Sequence, residues 1–368
     1  MIDGLSGGRA ILVQYSEGGG TDCIFTYAKS AAERRGECGF SCTHRGIKCY
    51  QTMTADGFKE SFCRRRQIFQ TTDYDFIFHS AKIQHFTYLC LMITHPNVKI
   101  NLGLNVLRKR PDGYHDLETL FVPYFGLTDT LEIITGDDYS RTIAGLQAKY
   151  GNLAQAISPD GKLMITIARK EGVDWDPLKD LTAKAYMMLS DDHKLPPMKI
   201  FLEKTNPVGA GLGGGSADAA FALRMISELA ELGLTDDALA AYAARLGSDC
   251  AFFIYNKPMM GFGRGEILEP FPLDLGDLKL EVVIPEGISV STADAYRGIV
   301  PRIPAKPLAE VLRQDPSTWK EELRNDFEET VFAKYPKLAA IKAELYEKGA
   351  LYCAMSGSGS SLYTLFRP

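Results

Sequence analysis

From about residue 97 onward the chain alternates apolar and polar positions in regular stretches. Before residue 75 it does not. In "VKINLGLNVLRK" (98–109) every second side chain is apolar, the period of a half-buried strand, and "PDGY" at 111–114 reads as a turn. "DTLEIIT" (129–135) and "KLMITIA" (162–168) alternate likewise, "MKIFLEKTN" (198–206) runs into a glycine-rich segment, and "LKLEVVIP" (278–285) is a further strand. A helical period takes over in "SADAAFALRMISELAEL" (216–232), where Ala219, Leu223, Ile226 and Ala230 share a face. Ser216 is placed to cap its first turn and Gly233 to end it; Thr235 caps the next helix, "DDALAAYAARLG". Residues 306–348 read as mainly helical with breaks at Pro316 and Pro336, and "LYCAMSGSGSSLYTLF" (351–366) as two short strands around a second glycine turn. Strands and helices mix without strict βαβα order, which predicts α+β rather than a doubly wound sheet.

Composition sharpens the break near residue 90. Cys23, Cys38, Cys42, Cys49, Cys63 and Cys90 precede Met92, leaving Cys250 and Cys353 for the rest. Residues 1–91 carry 11 Lys+Arg against 9 Asp+Glu, and residues 92–368 carry 30 against 37. "CGFSCTHRGIKC" offers Cys38, Cys42, His44 and Cys49 as zinc ligands, but without the paired C-x₂-C spacing of structural zinc sites. The expectation is that the working fold starts at Met92. Residues 1–91 are then a disordered extension or an over-extended reading frame, the rival being a cysteine-rich regulatory or zinc-binding extension. The whole chain, 368 residues with 45% hydrophobic and 24% charged, reads as soluble and globular with room for two domains. A formal charge of −5 argues against a nucleic-acid partner. With no apolar run of about 18 residues and no signal pattern, no membrane partner is expected and the location expected is cytoplasmic.

The chemistry gathers around "NPVGAGLGGGSADAA" (206–220), five glycines in fifteen positions. It contains G-x-G-x-x-G at Gly209, Gly211 and Gly214. A dinucleotide fold, however, needs a second strand ending in an acid about 20 residues on, and Glu231 lies in a helix followed by another helix. The lysine-bearing P-loop fails too, because Gly215 is followed by Ser216 and Ala217. What remains is a glycine turn feeding a helix N-terminus, where free N–H groups and a positive dipole end favour phosphate. Asp249, after "ARLGS" and beside "CAFFI", suits a general base or a helix cap. Lys99, between Val98 and Ile100 on its strand, reads by itself as a solvated edge residue. Tyr114 and His115 read by themselves as packing behind a turn.

"PVGAGLGGGSADAA" resembles the nucleotide loop of the GHMP kinase superfamily, with Ala210 where glycine is common. "PNVKINLGLNVLRKRPDGYHDLETLF" (96–121) and "LGSDCAFFI" (246–254, with Ala251 where proline is usual) narrow the resemblance to the branch acting on cytidine diphosphate methylerythritol. "RNDFE" (324–328) and "SGSGSS" (356–361) complete the set in the family's order. The resemblance implies a two-domain fold: an N-terminal nucleotide-binding α+β domain over 92–260 and a C-terminal ferredoxin-like α+β domain over 261–368, with the site in the cleft between them. It implies ATP-dependent phosphorylation of the substrate's 2-hydroxyl in non-mevalonate isoprenoid synthesis, with Mg²⁺ expected and its ligands unassigned. Pro207, Val208, Gly209, Ala210, Gly211, Leu212, Gly213, Gly214, Gly215, Ser216 and Ala217 would hold ATP. Asp249 would take the proton, and Lys99 would orient it and offset charge. Asn101, Tyr114, His115, Gly357, Ser358 and Gly359 would hold the acceptor, the Tyr-His pair reading cytosine. Asp180 stands near the adenine pocket where many relatives have asparagine, and no role is assigned to it. A homoserine or mevalonate kinase, or a nucleotide-binding module without catalysis, are the alternatives; "PDGYHDLET" argues against the first pair, and Lys99 with Asp249 against the last.

Overall fold

The chain's computed structural model describes residues 93–368, apart from 137–139 and 141, and upstream only the backbone of short strands between Ala10 and Asp75. The expectations for residues 1–91, and for Cys38, Cys42, His44 and Cys49 as zinc ligands, lie outside the described residues. Numbering elements from Ile93, a two-residue β1 (Ile93–Thr94) precedes a long hairpin of β2 (Asn97–Lys109) and β3 (His115–Thr128), closed by the expected turn. Then come β4 (Thr130–Thr135), α1 (Ile143–Tyr150), β5 (Ala154–Ile157), β6 (Leu163–Arg169), α2 (Leu181–Asp192), β7 (Met198–Lys204) and α3 (Gly214–Leu229). One sheet has the order β5-β6-β7-β4-β1, in which only β6 and β7, linked through α2, are parallel.

Helices α4 (Asp236–Leu246) and α5 (Cys250–Tyr255) lead to β8 (Met259–Gly263) and β9 (Ile267–Pro270). These extend the hairpin into a second sheet, β9-β8-β3-β2, with Met259 opposite Phe121. Residues 261–270 therefore stay with the sheet that carries Lys99. The remainder is a three-stranded antiparallel sheet, β10 (Lys279–Val283), β12 (Leu362–Phe366), β11 (Tyr352–Met355), in that spatial order. With it go α6 (Thr292–Arg297), α7 (Leu308–Leu312), α8 (Trp319–Glu322), α9 (Phe327–Lys334) and α10 (Pro336–Glu347). The mixture is α+β, as the pattern predicts.

Alternation on β2 decides where the core lies. Val98, Ile100 and Leu102 point into a cluster with Leu120 and Val122 of β3 and with Trp319, Tyr352, Tyr363 and Leu365 of the C-terminal part. The two parts are thus joined by shared apolar burial, and the opposite face of β2 is left for Lys99 and Asn101. Two boundaries differ from the sequence reading. Helix α3 begins at Gly214 after Gly213 in a left-handed conformation, with no side-chain cap, so Ser216 lies inside the first turn. It ends at Leu229, because the Leu232 N–H bonds back to the Ser227 carbonyl and the chain turns out through Glu231 at φ 52°. The Thr235 cap is present, its hydroxyl accepting from Ala238 N at 3.2 Å.

Candidate active site

The strand face opposite the core carries Lys99, and it is not solvated: the residue is 3% exposed. Strand alternation places it correctly but cannot reveal what covers that face. The cover is the glycine loop, whose Leu212 carbonyl accepts from Lys99 N at 2.9 Å, together with the turn between β11 and β12. The ammonium donates to Asn101 Oδ1 at 2.5 Å and to the Gly211 carbonyl at 3.1 Å, lies 3.3 Å from Asp249 Oδ2, and sits 5.5 Å from the Phe121 ring centre. Asp249 precedes α5 without capping it, in an αR backbone that leaves its carboxylate free of the helix N–H groups. The cap reading fails and the carboxylate turns to Lys99. Its side chain is 31% exposed, so one side of it remains open to an incoming hydroxyl.

Around that ion pair the two glycine turns meet backbone to backbone. Gly211 has φ 77°, and a Cβ there would lie 2.1 Å from the Ser356 carbonyl oxygen. Gly213 has φ 73°, and its Cβ would lie 3.1 Å from Lys99 Cε and 3.2 Å from Phe253. Both positions need a residue without a side chain, for conformation and for space. Gly213 thus faces Lys99 rather than open space, and the open position is Gly215, where a Cβ meets nothing within 4 Å. Gly214 and Ala217 are buried at the start of α3 and Ser216 is half-buried, while Ala210 and Leu212 turn inward and Pro207 with Val208 and Gly209 forms the outer rim. Ser356 fastens the turns together. Its hydroxyl donates to the Gly211 carbonyl at 3.0 Å and accepts from Asn101 N at 3.3 Å. A Cβ on Gly357 would come within 3.1 Å of Asn101 Oδ1, so Gly357 borders the same pocket, and Gly359 continues the turn. Ser358 lies at its outer side, its hydroxyl 3.2 Å from that of Thr292. The turn is held from behind by buried Asn325, whose amide donates to the Met355 and Gly357 carbonyls at 2.6 and 2.8 Å.

Tyr114 and His115 do not simply pack behind their turn. Tyr114 is 56% exposed, with the Arg264 guanidinium 5.0 Å over its ring. His115 stacks on Tyr296 at 4.9 Å between centroids. Burial, helped by the charge of Lys109, lowers the His115 pKa below its ordinary 6.5, so the ring is neutral at neutral pH and able to accept or donate one hydrogen bond. Burial likewise pushes the Tyr296 phenol up to about 12. A Cβ on Gly265 would lie 3.8 Å from Asp249 Oδ1, so the turn carrying Arg264 joins the aromatic end to the ion pair. Sequence reasoning missed Tyr296 and Arg264. The glycine-flanked arginine at 263–265 was a usable signal; Tyr296 in "ADAYRG" was not.

It also missed a buried charge cluster beneath the loop. Lys204, at the end of β7, bonds the Asp218 carboxylate of α3 and lies 3.1 Å from Asp129 Oδ2, between β3 and β4. Burial opposes the Lys204 ammonium, but the two carboxylates outweigh it and raise its pKa. Asp180, unassigned from sequence, caps α2 by accepting from Thr182 N at 3.0 Å and also accepts from Trp175 Nε1 at 3.2 Å. Among the described residues no helix is long and apolar enough to cross a membrane.

Residues 180–257 match the GHMP kinases N terminal domain, and residues 308–368 match the GHMP kinases C terminal family. The chain is 47% identical over 277 residues to the 4-diphosphocytidyl-2-C-methyl-D-erythritol kinase of Bacteroides fragilis, covering 75% of this chain and 93% of that protein. It is 39% identical to the enzyme of that name from Cytophaga hutchinsonii, over 75% and 92%. A crystal structure of 4-(cytidine 5'-diphospho)-2C-methyl-D-erythritol kinase superposes with a TM-score of 0.56 at 28% identity, covering 74% of this chain and 90% of that one. A homoserine kinase from Cytophaga hutchinsonii, at 17% identity and TM-score 0.50 over 73% and 84%, shares the fold.

Proposed function

The chain belongs to the 4-diphosphocytidyl-2-C-methyl-D-erythritol kinases of the GHMP kinase family, and we propose that it moves the γ-phosphoryl group of ATP to the substrate's 2-hydroxyl through the residues described above. The product belongs to non-mevalonate isoprenoid synthesis. The observation that carries the residue assignment is the Lys99–Asp249 pair, 3.3 Å apart and set against the glycine loop. Phosphoryl transfer asks little covalent chemistry of a protein and depends on positioning and charge. The loop from Pro207 to Ala217 presents N–H groups at the start of α3 to the phosphates, with the open side at Gly215. Asp249 accepts the hydroxyl proton as the new P–O bond forms. Lys99 orients Asp249 and offsets charge developing between the acceptor oxygen and the phosphoryl group.

Asn101 has both ends committed, Oδ1 to Lys99 and Nδ2 to Thr119 at 3.0 Å, so it holds the lysine in place beside the acceptor. Tyr114 and neutral His115 read the cytosine by stacking and by one edge hydrogen bond, and the Gly357–Gly359 turn borders the acceptor. Mg²⁺ would come as a companion of the nucleotide's phosphates. Mg²⁺ usually takes one or two protein ligands beside phosphate oxygens, and Ser216 is the hydroxyl of the loop able to join them. When bound, the ion neutralises charge on the β- and γ-phosphates. We place the nucleotide part and acceptor part within residues 92–368 and the enzyme in the cytoplasm.

The test is ADP release with ATP and each of three acceptors: the cytidine substrate, homoserine and mevalonate. Turnover with the cytidine substrate alone is expected. Asp249→Asn should lower kcat by roughly 10²–10⁴ while ATP still binds. Unchanged kcat in that variant would remove Asp249 from the mechanism.

A further inference from the structure

Three charged side chains buried beneath the glycine loop take no part in the chemistry above. The part of the loop ahead of the helix runs from Thr205 to Gly213, between the last residue of β7 and the first of α3. Lys204 closes β7, Asp218 lies one turn into α3, and Asp129 joins β3 to β4; they are 5%, 0% and 0% exposed. One ammonium therefore ties both ends of the loop together, bonding Asp218 on one side and lying 3.1 Å from Asp129 Oδ2 on the other. Asp129 does a second thing. Its Oδ1 accepts from Thr205 N at 2.6 Å and from Asn206 N at 2.7 Å, which fixes the first two peptide units of the loop.

Such a network is a poor way to stabilise a fold. Removing three charges from water offsets most of what they gain from one another, and apolar side chains of similar volume would hold β7 against α3 as well. What charges add is direction and spacing. The loop needs both, because its backbone N–H groups must converge on phosphate oxygens, and about 1 Å of misplacement can cost about 10²-fold in rate.

We propose that Asp129, Lys204 and Asp218 form a positioning device for the nucleotide, setting the distance between β7 and α3 and so aiming the loop at the phosphates without touching them. The inference rests on ATP being the ligand of this loop. It is tested on the full chain with Lys204→Met, Lys204→Arg and Asp218→Asn, by equilibrium binding of ATP and of cytidine diphosphate and by the KM of each substrate. Asp218→Asn and Lys204→Met should weaken ATP tenfold or more, in Kd and in KM, and leave cytidine diphosphate within twofold. Lys204→Arg, which keeps the charge, should recover most of the loss. Equal loss for both ligands, or ATP affinity unchanged in Asp218→Asn, would overturn the proposal. If Lys204→Met does not fold, the isosteric Asp218→Asn decides alone, its folding checked by circular dichroism. Failure of the unaltered chain to bind ATP would instead overturn the functional reading, and this inference with it.

Discussion

At the scale of single residues the site depends on one buried cation. Lys99 satisfies the side-chain oxygen of Asn101, the carbonyl of Gly211 and the carboxylate of Asp249 at once. Lys99→Met should therefore cost stability as well as turnover. The buried side-chain oxygen of Asn101 loses its donor, at about 1–3 kcal/mol by the usual penalty, while the Gly211 carbonyl keeps the Ser356 hydroxyl, and a shift in urea midpoint should accompany the loss of kcat. A variant as stable as the parent would show that the Asn101 oxygen finds another partner. His115 gives a second residue-scale expectation. Its pKa is depressed below 6.5 by burial, so the folded protein holds the ring neutral where the unfolded chain would already bind a proton. The stability this neutrality brings is present above 6.5 and is lost as pH falls through the lower folded value. If the neutral ring reads the cytosine edge, KM for the cytidine substrate should rise over the same interval while KM for ATP stays level. His115→Asn should flatten the acceptor profile.

At the scale of elements the glycine loop separates two kinds of glycine. Gly211 sits at φ 77° against the Ser356 carbonyl, and Gly215 lies inside α3 with open space where a Cβ would go. Gly211→Ala should push the two turns apart and lower the melting temperature, whereas Gly215→Ala should raise helix stability by about 1 kcal/mol. Calorimetry on the two variants checks this, and a destabilised Gly215→Ala would mean that the helix start is not as open as drawn. Much of this element was legible in the sequence, because five glycines running into an alanine-rich helix report a local conformational demand. Strands were legible through their period, and Lys99 was placed on the right face of β2. Its burial was not legible, since the residues that cover it, Leu212 and the turn at Gly357, lie more than a hundred positions away. The same reason hid Asp129, Lys204 and Asp218: each reads singly as an ordinary surface charge, and only the crossing of β3, β7 and α3 brings them together. Ser216 was misread as a cap because the sequence cannot tell that left-handed Gly213 takes the cap position.

At the scale of the whole molecule, both matched family domains, residues 180–257 and 308–368, lie downstream of Met92. A chain shortened to begin at Met92 is expected to fold and to turn over ATP with the cytidine substrate as fast as the full chain. A large drop in its kcat would assign residues 1–91 a part in the enzyme. The tie between Asn101 N and the Ser356 hydroxyl spans 255 positions, and that from Lys99 to Gly211 spans 112. Closing such long loops is slow compared with forming helices and hairpins. In refolding from urea, far-ultraviolet ellipticity should therefore return before catalysis does, with activity tracking the formation of the β11–β12 turn. During synthesis the consequence is stricter. A nascent chain that has already displayed its glycine loop, its lysine and its aspartate is expected to stay silent until the serine at 356 has cleared the ribosome, so stalled chains that still hold that serine in the exit tunnel should show no turnover.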